Sequence, residues 1–160
     1  MMERLVESFT SCLRSGSSVD AALDEYLEAT NSRAVGLWRV VDDELQCIGF
    51  RGHPTMSSAV SDAFAAATRV VSLHQTGLGI VKAAMTQQPA VALLTSRGGT
   101  LSASAGWLER FEAVQSLAVP LVLNEHPRGV LALSTAYAFG PDHASWQLTV
   151  ALASRVANLV

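Results

Sequence analysis

LAVPLVLNEHPRGVLALST, residues 117–135, holds two apolar runs joined by a polar turn. The runs are 117–123 and 129–135, and the turn is 124–128. Apolar runs of strand length bounded by turn residues read as a β-hairpin. Neither strand carries a residue type that performs catalysis, so the hairpin reads as framework.

Downstream, AYAFGPD is a turn, and Asp142 is placed to cap a last helix over 143–159. That helix has two apolar stripes, one through Leu148, Leu152, Val156 and Leu159 and one through Trp146, Val150, Ala153, Ala157 and Val160. A surface helix needs only one. Two stripes predict packing on a sheet and on another helix, with the first helix as the partner, in this chain or across a dimer.

Upstream, Leu5, Phe9, Cys12 and Leu13 keep helical spacing over 3–14, and Ser18 is placed to cap a second helix reaching Thr30. Residues 33–42 and 44–52 read as a strand pair about a turn at Asp42-Asp43. On the first strand Val35, Leu37, Arg39 and Val41 face one way, and Ala34, Gly36, Trp38 and Val40 the other. Residues 57–71 read as an alanine-rich helix, 78–87 as a short helix and 90–95 as a strand. A Gly/Ser-rich segment over 96–106 then leads to a helix over 107–115. Five or six strands in hairpins, with helices at both ends and between, describe an α+β layer fold with an antiparallel sheet. No internal repeat or second domain is visible, so 1–160 is read as one domain.

Composition excludes several classes. Charged residues are only 16% of the chain, against roughly 25% in typical soluble proteins. A sparsely charged surface implies that part of it is covered by a partner. The net charge is −3 with no Lys/Arg cluster, so no basic face exists to neutralise phosphates and no nucleic acid is expected. No apolar run approaches the ~20 residues that span a bilayer, and residues 1–16 lack a signal peptide's apolar block. No membrane association is expected, and the cytoplasm is the expected location. Cys12 and Cys47 fit no zinc or redox spacing and read as reduced thiols.

The order GLGIVKAAMTQQPAV, then SLAVPLVLNEHPRGVLALST, then FGPD and a closing apolar helix, resembles the GAF domain family. Residues 76–160 match in order and spacing, and 19–52 fit as the entry helix and first strands. The resemblance implies a central antiparallel sheet of about six strands. Terminal helices would lie on one face and often form a dimer bundle. Short helices and loops would enclose a small-molecule pocket on the other. It implies a sensory, non-catalytic role in most members, and in some only dimerisation.

The family's specialised activities have residue requirements. Phytochrome-like members attach a bilin to a late Cys, and no Cys follows Cys47. Free methionine sulfoxide reductases of the family use cysteines in the middle and later segments, where this chain has none, and serine is a far poorer nucleophile toward sulfur. The scattered Asn-Lys-Phe-Asp-Glu signature of cyclic-nucleotide binders has no convincing place here. No pair among His53, His74, His126 and His143 has the spacing that sets two imidazoles on one helix face. No metal and no cofactor is assigned.

Candidate ligand contacts are Phe50, Arg51 and His53 at the end of the second strand, and His74 beyond the alanine-rich helix. Thr95 at a strand end and Ser116 before the VPL strand join them. Trp107 and Phe111 lie one turn apart on the expected cap helix and read either as core or as a stacking wall. Arg51 is the candidate for an anionic ligand group. SRGG (96–99), with Arg97, reads as a loop or as an anion cradle. Gly77 and Gly79 read as a turn into the short helix and not as a dinucleotide fingerprint, because Lys82 stands where the third glycine would fall.

The expected function is therefore a non-catalytic sensor. It would bind an unidentified small molecule and signal through its terminal helices, as a homodimer, within a signal-transduction or transcription-regulatory protein. The alternative is a ligand-free dimerisation module, and after that a reductase.

Overall fold

The computed structural model describes residues 1–96 and 99–160. Its elements run α1 (Met2–Ser15), α2 (Asp20–Thr30), β1 (Ala34–Val41), β2 (Glu44–Gly52), α3 (Ser58–Ala67), β3 (Val70–Ser72), α4 (Gly79–Thr86), β4 (Ala90–Leu93), α5 (Ser102–Phe111), β5 (Gln115–Leu123), β6 (His126–Thr135) and α6 (Ala144–Val156). The strands form one sheet in the order β3-β2-β1-β6-β5-β4, with every pairing antiparallel. The hairpin of residues 117–135 thus lies at its centre, against β1.

Both faces of the sheet are covered, and the two-residue period of a strand divides the core. Val35, Leu37, Leu117, Val119, Leu121, Leu131 and Leu133 pack with α1, α2 and α6 on one face. Ala34, Trp38, Ala118 and Val130 pack with Phe64, α4 and α5 on the other. We call the first face the helix layer and the second the roof. Gly129 lies where β6 passes β1, and a Cβ there would overlap the Trp38 carbonyl oxygen.

Apart from Val150, the two stripes of α6 pack inside the chain, on the sheet and against α1, whose Leu5 and Phe9 are buried in the same core. The face of α6 that is fully buried is narrower than the stripes suggested. Ser145 and Thr149 are buried, while Val150 is 39% exposed.

Several boundaries differ from the sequence reading. The alanine-rich helix stops at Ala67 and not at 71. The Thr68 hydroxyl donates to the Phe64 carbonyl at 2.9 Å, and the β-branched pair Val70-Val71 then joins β2 as an edge strand. Helix α5 begins at Ser102, inside the Gly/Ser-rich segment, and ends at Phe111 with Glu112 left-handed. Serine and alanine there extend the helix, because Ala105, Leu108 and Phe111 are buried along one side. Strand β4 is shorter than expected, since Leu94–Ser96 forms a 3-10 turn. The hairpin loop is only Asn124-Glu125, both with positive φ, so His126 already belongs to β6. His143, and not Asp142, caps α6, its ring nitrogen accepting the Ser145 amide at 3.0 Å. No helix among the described residues is long and apolar enough to cross a membrane.

Candidate functional site

Strand pairing sets two rows of small side chains across the roof face. Gly36 lies opposite Ala132, which lies opposite Ala118; Ala34 lies opposite Ser134, which lies opposite Ser116. Leucines and valines occupy the alternate positions and point to the helix layer. The floor is therefore shallow over three central strands. Above it stand α3, α4 and α5, and between floor and roof is a cavity of about 50 Å³.

The walls are aromatic. Trp38 folds back over Gly36, with its indole N–H donating to the Thr68 carbonyl at 3.1 Å. Phe64 meets Trp107 edge-on at 4.9 Å and Phe111 at 5.1 Å between ring centroids. Phe50 lies 4.7 Å from Phe64 and 6.0 Å from Phe111. Such tilted and edge-on contacts are the favourable arrangements of rings. The polar lining is serine: Ser104, Ser116 and Ser134. Ser104 Oγ accepts the Gly79 amide at 2.8 Å, so the first amide of α4 is already capped. No titratable side chain lines the cavity among the described residues.

Of the residues singled out from sequence, Phe50, Trp107, Phe111 and Ser116 line this cavity. Arg51 does not. Successive strand residues point to opposite faces, so with Phe50 in the roof Arg51 reaches the helix layer. There its guanidinium donates to both Asp24 oxygens, at 2.8 and 3.1 Å, with Asp20 at 3.7 Å. His53 is half-buried at the rim of α2, and its Nδ1 accepts the Thr55 amide at 3.1 Å. Together with Asp24, Glu28 and Arg51 it lines a separate, open groove. His74 is exposed in the turn after β3, and Thr95 is exposed in the 3-10 turn after β4. The anion cradle proposed on Arg97 lies outside the described residues.

The sequence reading missed Gly36, Ala132 and Ser134 of the floor and did not assign Phe64 to a wall. The signal was present: small residues alternate with large ones in three strands. It becomes a floor only once the register aligns the small positions.

Neither cysteine lines the cavity. Cys47 is on the roof side of β2, and burial pushes its thiol up to about 11. Cys12 packs in the helix layer. No cluster of three or more His, Cys, Asp or Glu able to hold a metal ion occurs among the described residues.

No family model matches the sequence, and no curated protein matches it. Solved structures do. The GAF domain from an Acinetobacter phosphoenolpyruvate-protein phosphotransferase is similar at a TM-score of 0.66 and 14% identity, over 99% of this chain and 89% of that one. The phycoerythrobilin-bound GAF domain of a cyanobacterial phytochrome is similar at 0.68 and 10%, over 99% and 94%. A type II free methionine-R-sulfoxide reductase from Thermoplasma acidophilum is similar at 0.64 and 17%, over 97% and 94%. These neighbours include a ligand-bound domain and an enzyme, so the architecture alone does not separate binding from catalysis. With similarity to GAF domains over 99% of the chain at TM-scores of 0.66 and 0.68, the chain has the GAF fold.

Proposed function

We propose that this chain is a regulatory domain that binds a small molecule between sheet and roof without transforming it. The observation that carries this reading is the lining, which has apolar side chains, glycines and serines but no titratable group among the described residues. General acid–base catalysis needs a group that exchanges a proton near working pH. Sulfoxide reduction needs a thiolate. Cys47, raised to about 11 and outside the cavity, is a poor candidate. A non-covalent ligand would rest on the small-residue floor, against the five rings. Phe50, Trp107, Phe111 and Ser116 are its contacts in this reading; Arg51, His53, His74 and Thr95 are not.

The readout belongs to α1 and α6. Arg155 of α6 holds Glu3 of α1 through two bonds of 3.1 and 3.2 Å. A ligand favouring one arrangement of the roof would shift that helix pair by population. A cytoplasmic homodimer through the pair would pass the shift to a signalling or transcription-regulatory partner.

The small cavity favours a second reading, in which the domain is permanently filled and only joins two subunits. Native mass spectrometry of protein purified from its host separates the two. A bound small-molecule mass supports the first reading. A dimer without adduct, unmoved in melting temperature by any metabolite, supports the second. Turnover of free methionine sulfoxide would overturn both.

A further inference from the structure

The cavity of about 50 Å³ is a third of the roughly 150 Å³ of an engineered apolar cavity that takes up benzene. No ring enters unless one leaves. Trp38 is 1% exposed and pinned by its hydrogen bond to Thr68. Phe64 and Phe111 are buried at 8% and 2%, and Phe50 sits within a paired strand. Trp107 is the exception. It is half-buried, it stands on α5, and the exposed guanidinium of Arg110 lies 4.4 Å from its ring centroid.

Helix α5 is also weakly self-supporting. Leu101 at its N-terminus gives no side-chain cap. Gly106, next to Trp107, costs about 1 kcal/mol in a helix interior. Packing does not require that glycine, since nothing lies within 4 Å of where its Cβ would be.

We infer that Trp107 occupies the ligand's place, and that the ligand is an uncharged planar ring that displaces it; this rests on the binding function proposed above. An entering ring recovers the edge-on contact that Trp107 makes with Phe64. Charge is disfavoured, because no charged side chain lines the cavity among the described residues and an unpaired buried charge is costly. Ser116 and Ser134 offer hydroxyls to one neutral polar substituent.

The test uses indole and indole-3-acetate, one ring without and with a carboxylate. The whole chain is labelled with 5-fluorotryptophan and followed by fluorine NMR. The chain has three tryptophans, and Trp107→Phe assigns the resonance of interest. Millimolar indole is expected to move the Trp107 signal to the position of a solvated indole while leaving the signal of Trp146, which packs in the helix layer, unchanged. Indole-3-acetate at neutral pH is expected to bind at least about tenfold more weakly, as the unpaired charge demands. Trp107→Ala, which vacates the place, is expected to bind indole about tenfold more tightly, because the competent fraction rises. Should that variant not fold, Trp107→Leu replaces it. An unmoved Trp107 signal, a folded variant that does not bind indole, or equal binding of the carboxylate overturns the inference. If it falls while mass spectrometry still finds a bound small molecule, the binding function stands and only the ligand class and the displacement are lost.

Discussion

The Arg33 Nε–H donates to the Phe111 carbonyl at 2.9 Å, joining the entry to β1 with the last residue of the roof helix α5. The Arg33 side chain is only 14% exposed. A second guanidinium nitrogen donates to Thr55 Oγ1 at 2.9 Å, and the Arg33 amide donates to the Ser134 carbonyl at 2.7 Å. One residue thus ties the sheet, the loop after β2 and the roof. A cation at a helix C-terminus also complements the helix dipole.

Replacing Arg33 by Met is expected to cost about 1.5–3 kcal/mol, the usual loss for a hydrogen bond to a charged group. Arg33→Lys recovers little, because a point charge cannot reproduce the planar fork. Urea unfolding measures both. A loss below about 0.5 kcal/mol, the range of an ordinary surface change, would mean that the tie is idle.

Tyr26 is fully buried beneath α6, its hydroxyl 2.6 Å from Thr149 Oγ1. Thr149 spends its own proton on the Ser145 carbonyl at 2.7 Å, so Tyr26 is the donor of the pair. Tyr26→Phe is expected to cost about 1 kcal/mol, and Thr149→Val, which strands a buried donor, about 1–3 kcal/mol. The reverse order in thermal unfolding would contradict the assignment.

Burial holds the Tyr26 phenol above its ordinary range. The folded state keeps this proton where an unfolded tyrosine, near about 10, has lost it. The stabilisation is therefore complete below that pH and drains away as pH rises beyond it. In a spectrophotometric titration Tyr26 should ionise only together with unfolding. Ionisation while the near-ultraviolet dichroism remains native would refute this.

Cys47 is raised to about 11 by burial. Its contribution to stability is full below the thiol's ordinary pKa and is lost as pH climbs toward about 11. In a Cys12→Ser background, native Cys47 should react with Ellman's reagent about a hundredfold more slowly than a free thiol, because the thiolate fraction is that much smaller. A rate matching the free thiol would reopen thiol chemistry for this fold.

Asn124 and Glu125 turn the central hairpin with φ of 52° and 65°. Two-residue loops of this kind prefer glycine in the second place. Glu125→Gly is expected to stabilise the chain by about 1 kcal/mol, the strain a non-glycine residue carries in the left-handed region, seen as a higher melting temperature. A lower one would show that the Glu125 side chain, not the backbone, matters here.

Much of the framework was readable before any coordinates. The alternation of β1, the two apolar runs of the hairpin and the double stripe of α6 each report a local period, and local periods survive in sequence. The errors fall where a neighbour decides. Val70-Val71 looked helical beside an alanine run until β2 offered a strand edge. Ser102–Gly106 looked like loop until the roof rewarded burial of Ala105. Arg51 looked like a ligand contact because it adjoins Phe50, yet adjacency in a strand means opposite faces.

The sequence by itself determined an antiparallel α+β domain with a helix at either end, because hydrophobic period and turn chemistry are properties of short segments. Only the tertiary structure decided where the cavity lies, how little of it is empty and that no charge among the described residues lines it. Those depend on register, which brings Gly36, Ala132 and Ala118 into one row. They depend also on packing, which stands Trp107 in the space that row leaves.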